Sequence, residues 1–205
     1  MISRRQFISV AAALLALCAS GCGSSPSAPS AGVTVIAFGD SITFGFGASD
    51  GNDYPALLAR RTGVPVINAG RNGDTTGSAL NRVDSAVLSR NPDIVIVFLG
   101  GNDLLQGVPV EQRIANITTI VQRIRADGAA VILVGVGSGI LDPFNGQLPT
   151  IASQTSSTLV PNVLDGVFGV PGFMSDAIHP NDAGHVVIAD RIEPALRLAL
   201  AAAGS

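Results

Sequence analysis

The chain has 205 residues, 47% of them hydrophobic and 13% charged, and a formal net charge of -3, which fits a single globular domain. Every basic residue is an arginine, which excludes chemistry that depends on a Schiff-base lysine or a Walker-type phosphate lysine. The sequence has no basic stripe suited to nucleic acid, and its two histidines and two badly spaced cysteines predict no metal site.

The N-terminal region resembles a bacterial export signal. Arg4 and Arg5 precede the apolar stretch Phe7–Leu17, which is too short to span a bilayer comfortably. The run Ser3–Ile8 resembles a twin-arginine motif. Ala19–Cys22 resembles a lipobox, a motif whose cysteine is acylated and becomes the mature N-terminus.

We therefore predict a signal peptide at residues 1–21, a lipid-modified Cys22, and a flexible tether over residues 22–32. Cys18 is the only other cysteine, and the same cleavage would remove it, so Cys22 has no disulfide partner. This interpretation places the mature protein in the exported cell envelope, attached to the membrane through Cys22. The alternative is ordinary signal-peptidase cleavage, which would release the protein.

From residue 33 to residue 203, predicted strands alternate with predicted helices. Apolar, β-branched runs predict strands at Val33–Phe38, Val64–Asn68, Ile94–Leu99, Ala129–Val136 and Val163–Asp165. Apolar periodicity and end signals predict helices at Tyr54–Arg61, Thr75–Arg90, Val110–Asp127, Thr150–Leu159 and Asp182–Ala203. Pro194 should kink or split the last helix, and residues 137–149 are assigned to a loop.

Strands that are apolar throughout and alternate with helices are typical of a parallel sheet covered on both faces. The predicted fold class for residues 33–203 is therefore α/β, a three-layer α/β/α sandwich around a parallel five-stranded sheet. In such sheets, ligands bind beyond the carboxyl ends of the strands. Candidate site residues should therefore directly follow strands.

A serine follows the first predicted strand, in the run Gly39–Thr43. A turn that leaves a strand can present the Ser41 hydroxyl at the sheet edge, with backbone N–H groups directed towards an oxyanion. The alternative for this position is a simple helix cap formed by Asp40 and Ser41. The motif also differs from the Gly-x-Ser-x-Gly elbow of the α/β-hydrolases.

Hydrogen-bonding groups also follow the second and third strands. Glycines in Asn68–Thr75 permit close backbone approach, and either Gly70 or Gly73 could donate an N–H group to an oxyanion. After the third strand, the side-chain amide of Asn102 could be another donor. Ordinary turns and helix caps are the alternative in both places.

Asp176 and His179 precede the last helix, and their spacing allows the carboxylate to orient the imidazole. His179 could then accept the serine proton and return it to the leaving group. The alternative is a turn histidine. His185 has no acid immediately before it, and we interpret it as a packing or surface residue.

Taken together, these blocks resemble the SGNH (GDSL-type) hydrolases. The resemblance rests on Gly39-Asp40-Ser41, Gly73, Gly100-x-Asn102-Asp103 and Asp176-x-x-His179-Pro180, in this order, and runs from about Val33 to Leu198. The nearest subgroup contains bacterial arylesterases, acyl-CoA thioesterases and lysophospholipases. Ile42 stands where the name motif of the family has leucine.

The resemblance implies a flavodoxin-like fold, Ser41 as nucleophile, His179 as base and Asp176 as the orienting acid. It also implies an oxyanion hole formed by the N–H groups of Ser41 and Gly73 and the side chain of Asn102. Gly73 is the family-aligned donor, and Gly70 is the alternative. No cofactor is needed for this chemistry.

The expected function is that of an exported serine esterase, acting as a monomer on a small acyl ester or thioester through an acyl-enzyme. A second hypothesis, suggested by the export signal, is an O-acetyl esterase acting on envelope or plant polysaccharide. A third is a surface lipoprotein that binds a ligand without catalysis.

Overall fold

The structure is a computed structural model, and it describes residues 32–137 and 142–204. The predicted signal peptide at 1–21, Cys22 and nearly all of the predicted tether at 22–32 lie outside the described residues, as do residues 138–141 of the predicted loop. Across the described ranges, no helix combines the length and the hydrophobicity needed to cross a membrane.

A parallel five-stranded sheet forms the centre of the molecule. Its strands lie in the order β2-β1-β3-β4-β5, and every neighbouring pair is parallel. The strands are β1 (Val35–Gly39), β2 (Val66–Gly70), β3 (Ile94–Phe98), β4 (Ala130–Val134) and β5 (Thr158–Val160). This is the flavodoxin-like strand order, in which the chain reverses direction across the sheet between β1 and β3.

Helices cover both faces of this sheet. In the described part of the chain they are α1 (Ser41–Phe44), α2 (Tyr54–Thr62), α3 (Thr76–Leu80), α4 (Val83–Ala86), α5 (Gly101–Leu105), α6 (Val110–Ala126), α7 (Pro143–Gln154) and α8 (Asp182–Ala203). Short 3₁₀ turns occupy Leu88–Arg90 and Pro171–Phe173.

Alternate strand residues enter two separate cores, because successive side chains of a strand point to opposite faces. Val35 and Ile94 belong to the core beneath α2 and α8, whereas Ile36 and Val95 belong to the core beneath α3, α4, α6 and α7. The central strands β1 and β3 are buried throughout. The three-layer α/β/α sandwich with a parallel five-stranded sheet is therefore confirmed.

The fifth strand is displaced from its predicted position. It occupies Thr158–Val160 rather than Val163–Asp165, and it pairs with β4. Pro161 has no N–H group to donate, and Asn162 has a φ of 58°, so the regular strand ends there. The N–H group of Val163 still bonds to Gly135, and Val163 is fully buried.

The helices also differ from their predicted limits at three places. The segment predicted as one helix over Thr75–Arg90 is divided into α3, α4 and a 3₁₀ turn. Helix α7 begins at Pro143, where Asp142 caps it, so half of the predicted loop is helical and the helix predicted at Thr150–Leu159 is shifted. Helix α8 is not split at Pro194, which is exposed while residues on either side face the core.

Candidate active site

The turn after β1 places Ser41 at the carboxyl edge of the sheet. Asp40 caps the short helix α1 by accepting a hydrogen bond from the N–H group of Ile42, and Ser41 is the first helical residue. Backbone N–H groups of Gly45 and Phe46 both donate to the Ser41 carbonyl oxygen. Gly45 has a φ of 99° and ends the helix after four residues. Ser41 is thus held in a tightly bonded single turn at the topological switch point between β1 and β3.

His179 lies next to Ser41, although 138 residues separate them in the sequence. The imidazole Nε2 is 3.1 Å from the Ser41 hydroxyl oxygen. His179 belongs to a loop closed by backbone bonds from Ser175 to His179 and from Asn181 to Phe173. The structure therefore brings together the predicted nucleophile and the predicted base at hydrogen-bonding distance.

Asp176 occupies the other side of the same imidazole. Its Oδ2 is 2.8 Å from His179 Nδ1, and its Oδ1 accepts hydrogen bonds from the N–H groups of Ile178 and His179, each at 2.7 Å. The bond to the His179 side chain and the two backbone bonds lower the pKa of Asp176 to about 2. An ionised Asp176 favours the tautomer with the proton on Nδ1, so that Nε2 can accept the Ser41 proton.

Phe46 packs against the face of His179, with the two ring centroids 4.3 Å apart. Gly47 lies so close that an added Cβ would be 2.5 Å from the Pro180 carbonyl oxygen. The loop after α1 and the histidine loop are therefore in direct contact, which restricts the position of the imidazole. Sequence reasoning missed Phe46, because nothing local connects it with a histidine 133 residues away.

The two candidate glycine donors lie at the end of β2 and in the loop after it: Gly70 is the last residue of β2, and Gly73 belongs to the loop. The N–H group of Gly70 donates to the Asn68 side chain at 2.9 Å, so it already has a partner. Gly73 is exposed, has a φ of 77°, and stands third in the turn closed by the bond from Asp74 N–H to the Arg71 carbonyl. This arrangement favours Gly73 over Gly70 as the donor.

Asn102 lies in α5, directly after β3, and contacts the same loop. Its side-chain amide donates to the Asp74 carbonyl oxygen at 3.0 Å, and the amide carries a second hydrogen that remains to serve another acceptor. The next residue, Asp103, is fully buried and accepts from the N–H group and the hydroxyl of Thr76. The loop after β2 is thus connected to the end of β3.

A cavity of about 220 Å³ opens beside Ser41. Its walls are mostly apolar, and Ser41, Asp40 and Asn102 are its principal polar residues. The apolar side chains that line it are Ile42, Phe98, Leu104, Leu105, Val136, Leu164, Phe168 and Ile178. Such a cavity can hold a hydrocarbon group while the polar residues face a carbonyl.

His185, the second histidine, does not line this cavity and is fully buried. Its Nδ1 accepts a hydrogen bond from the N–H group of Tyr54, and the two rings are stacked. Burial lowers the pKa of His185, which favours the neutral ring. In the described ranges, His, Cys, Asp and Glu side chains form no group of three that could bind a metal ion.

Asp40 is a second carboxyl group at the site, and its environment is opposite to that of Asp176. It is 5% exposed, and burial raises its pKa from 3.8 to about 7, with Asp74 and Asp103 adding to the increase. The hydrogen bond from Ile42 and the nearby His179 act in the other direction. Asp40 therefore titrates near neutral pH, well above the pH at which an exposed aspartate loses its proton.

Comparison with known proteins identifies relatives across most of the chain. The model of the GDSL-like lipase/acylhydrolase family matches residues 37–187. Esterase TesA of Pseudomonas aeruginosa is 33% identical over 176 residues, which cover 80% of this chain and 88% of the relative. The thioesterase 1/protease 1/lysophospholipase L1 of Escherichia coli K12 is 31% identical, with 77% of this chain and 80% of the relative covered.

The fold is shared as well. The crystal structure of TesA superimposes with a TM-score of 0.75 at 32% sequence identity, covering 81% of this chain and 99% of the other. The chain therefore spans nearly the whole of this structural neighbour.

The raised pKa of Asp40 predicts a specific dependence of stability on pH. Between pH 3.8 and about 7, the unfolded chain has lost the Asp40 proton while the folded protein retains it, so this group makes unfolding more favourable as the pH rises. Replacing Asp40→Asn removes that contribution. Between pH 5 and pH 8, the free energy of unfolding of the variant should therefore rise by about 3 kcal/mol relative to that of the wild type.

Urea unfolding at the two pH values measures this difference. Other titrating groups, His185 included, are present in both proteins and cancel in the comparison. Parallel pH profiles for the two proteins would show that the Asp40 pKa is not raised.

Proposed function

Because the chain belongs to the GDSL-like lipase/acylhydrolase family and is a carboxylic ester hydrolase, we propose that it cleaves its substrates through Ser41, His179 and Asp176. The observation that carries this proposal is the continuous hydrogen-bonded chain from Asp176 through His179 to Ser41 at the mouth of an apolar cavity. That arrangement supplies the nucleophile, the general base and the orienting acid that acyl transfer through a serine requires.

In the first step, His179 Nε2 accepts the proton of Ser41, and the serine oxygen attacks the carbonyl carbon of the ester or thioester. Asp176 stabilises the imidazolium that forms. The N–H groups of Ser41 and Gly73 and the amide of Asn102 donate hydrogen bonds to the tetrahedral oxyanion.

Collapse of this intermediate breaks the bond to the leaving group, and His179 protonates the departing alcohol or thiol. An acyl-enzyme on Ser41 remains. A water molecule, deprotonated by His179, attacks the acyl carbonyl, and the carboxylic acid leaves as Ser41 regains its proton.

The cavity supports an acyl chain longer than acetyl as the group bound beside Ser41. Its walls are aliphatic and aromatic, and each methylene transferred from water to such a surface contributes about 0.8 kcal/mol. An O-acetyl esterase for polysaccharide would leave most of this apolar surface unused. We therefore favour acyl esters or thioesters over acetylated polysaccharide.

The first prediction from this proposal concerns the nucleophile. Replacing Ser41→Ala should lower hydrolysis of p-nitrophenyl butyrate by at least about a thousandfold, because no oxygen remains to form the acyl-enzyme. The variant should also lose labelling by a fluorophosphonate probe. Ser89→Ala is a matched control, since Ser89 is exposed on a surface turn and its hydroxyl donates to the neighbouring Ser85 carbonyl oxygen.

The control should keep wild-type turnover and labelling. Full turnover by a folded Ser41→Ala protein, as judged by circular dichroism, would overturn the assignment of Ser41 and with it the proposed mechanism.

The second prediction concerns acyl chain length. From acetyl to hexanoyl esters, kcat/KM should rise roughly fourfold per methylene, until the cavity is filled. Phe168 lines the cavity and is 42% exposed, so Phe168→Ala should reduce this gain without unfolding the protein. Val186→Ala removes a similarly exposed apolar side chain from α8, which does not line the cavity, and serves as control.

The measurement is kcat/KM for a series of p-nitrophenyl esters with each protein. Acetyl turnover should be unchanged in Phe168→Ala. A series in which acetyl is the best substrate would instead favour the O-acetyl esterase hypothesis.

We further propose that the protein is exported and anchored by a lipid on Cys22. The proposal is supported by the Arg4-Arg5 pair, the short apolar stretch after it, and a small-residue run that ends in the cysteine. Two acyl signals on one terminus are sufficient for stable membrane attachment.

The third prediction tests this anchor in a bacterial host. Cys22→Ala should abolish incorporation of radiolabelled palmitate and move esterase activity from the membrane pellet to the soluble fraction. Cys18→Ala is the matched control and should leave both unchanged. Wild-type activity found only in the soluble fraction would contradict lipid anchoring without affecting the esterase assignment.

A further inference from the structure

We infer that Arg82 is a positioning residue for the oxyanion hole, an inference that rests on the proposed function. Its guanidinium holds together the carboxyl ends of β1 and β2 and the loop that carries Gly73. Arg82 does not line the cavity, so it would act through the groups that it holds.

The first observation is the set of acceptors that one guanidinium group reaches. Arg82 Nη2 donates to the carbonyl oxygens of Gly39 at 3.0 Å and Ala69 at 2.9 Å. Gly39 ends β1 two residues before Ser41, and Ala69 precedes the last residue of β2. A single side chain therefore joins the strand that leads to the nucleophile and the strand that leads to the Gly73 loop.

The second observation is the ion pair with Asp74, the residue after Gly73. Arg82 Nε is 2.5 Å from Asp74 Oδ2, and the Asp74 side chain is fully buried. The Asp74 backbone carbonyl accepts the hydrogen bond from the Asn102 amide. Arg82 thus contacts the end of β1 and the loop of Gly73 directly, and it is connected to Asn102 through Asp74.

The third observation is the course of the chain around Arg82. The helix predicted over Thr75–Arg90 is interrupted after α3, and Arg82 lies in the interruption, before α4 begins. Its guanidinium carbon lies 4.4 Å from the centre of the Phe38 ring, which it crosses on the way to the strand ends. The cation–π contact and the three polar acceptors together restrict the side chain to one orientation.

Charge does not account for this arrangement. The positive charge of Arg82 is paired with the buried carboxylate of Asp74, and the second cation that binds Asp74, Arg71, is exposed and therefore screened by solvent. A largely buried ion pair is also weak support for stability, because apolar residues of similar size often serve as well. The contribution that remains is geometric, and oxyanion donors must lie within a few tenths of an ångström to act.

The variants Arg82→Met and Arg82→Lys test this role. Loss of the shared guanidinium should let the Gly73 loop shift, lowering kcat by roughly 10- to 100-fold with KM nearly unchanged, because the affected bonds form in the transition state. Arg82→Lys should recover part of kcat, since a lysine can still reach one or two of the acceptors. Arg123→Gln removes an exposed arginine that pairs with Asp84 on the surface, and it should behave as wild type.

Two further readouts separate positioning from a loss of folded protein. The affinity of a trifluoromethyl ketone inhibitor, which forms the tetrahedral adduct, should fall in parallel with kcat/KM across the variants, while affinity for the product acid stays constant. Added methylguanidinium at millimolar concentration should partly restore turnover to Arg82→Ala. If Arg82→Met fails to fold, Asp74→Asn supplies the same test, because it breaks the ion pair and keeps the backbone carbonyl.

Wild-type kcat in folded Arg82→Met, or equal losses in affinity for the ketone and the product acid, would overturn the inference. Its failure is distinct from failure of the proposed mechanism, because the Ser41→Ala result does not depend on Arg82.

Discussion

The close approach of α1 to the carboxyl ends of β1 and β2 is the constraint on which the site depends. An added Cβ on Gly70 would lie 2.1 Å from the Phe44 nitrogen, and one on Gly39 would lie 2.1 Å from the Thr43 hydroxyl oxygen. Only glycine fits at these two positions. From the opposite side, the Tyr54 hydroxyl bonds to Thr43 at 2.8 Å. The helix that begins with Ser41 is thereby fixed directly against the carboxyl ends of β1 and β2.

Much of the fold can be predicted from short-range patterns in the sequence. Buried parallel strands need apolar side chains on both faces, so runs such as Ile94–Phe98 are recognisable without any alignment. The rule that ligands bind beyond strand ends then directs attention to Ser41 and Asn102, and the structure brings both to one cavity. No such rule predicts the position of the loop that holds His179. Only the spacing of Asp176 and His179 and the family resemblance indicated that this loop belongs to the site.

The differences from prediction arise where distant contacts override local preference. No proline or glycine lies next to Arg82, where the predicted helix is interrupted. The interruption is explained by the hydrogen bonds that the Arg82 guanidinium donates to the Gly39 and Ala69 carbonyl oxygens. In the same way, β5 begins before Pro161 because β4 offers pairing partners there. Local propensity predicts neither the interruption at Arg82 nor the position of β5, since each depends on backbone groups that are distant in the sequence.

The two carboxyl groups beside Ser41 show how one small site can hold acids in different states. Asp176 is exposed and accepts three hydrogen bonds, which lower its pKa, whereas Asp40 is buried and its pKa is raised. Under the proposed mechanism, the charge on Asp176 stabilises the imidazolium on the far side of His179. A charge on Asp40, directly before Ser41, would instead oppose the developing oxyanion. Because burial keeps Asp40 largely neutral below about pH 7, Asp40 does not place a full negative charge directly before Ser41, whereas the charge of Asp176 lies on the far side of His179.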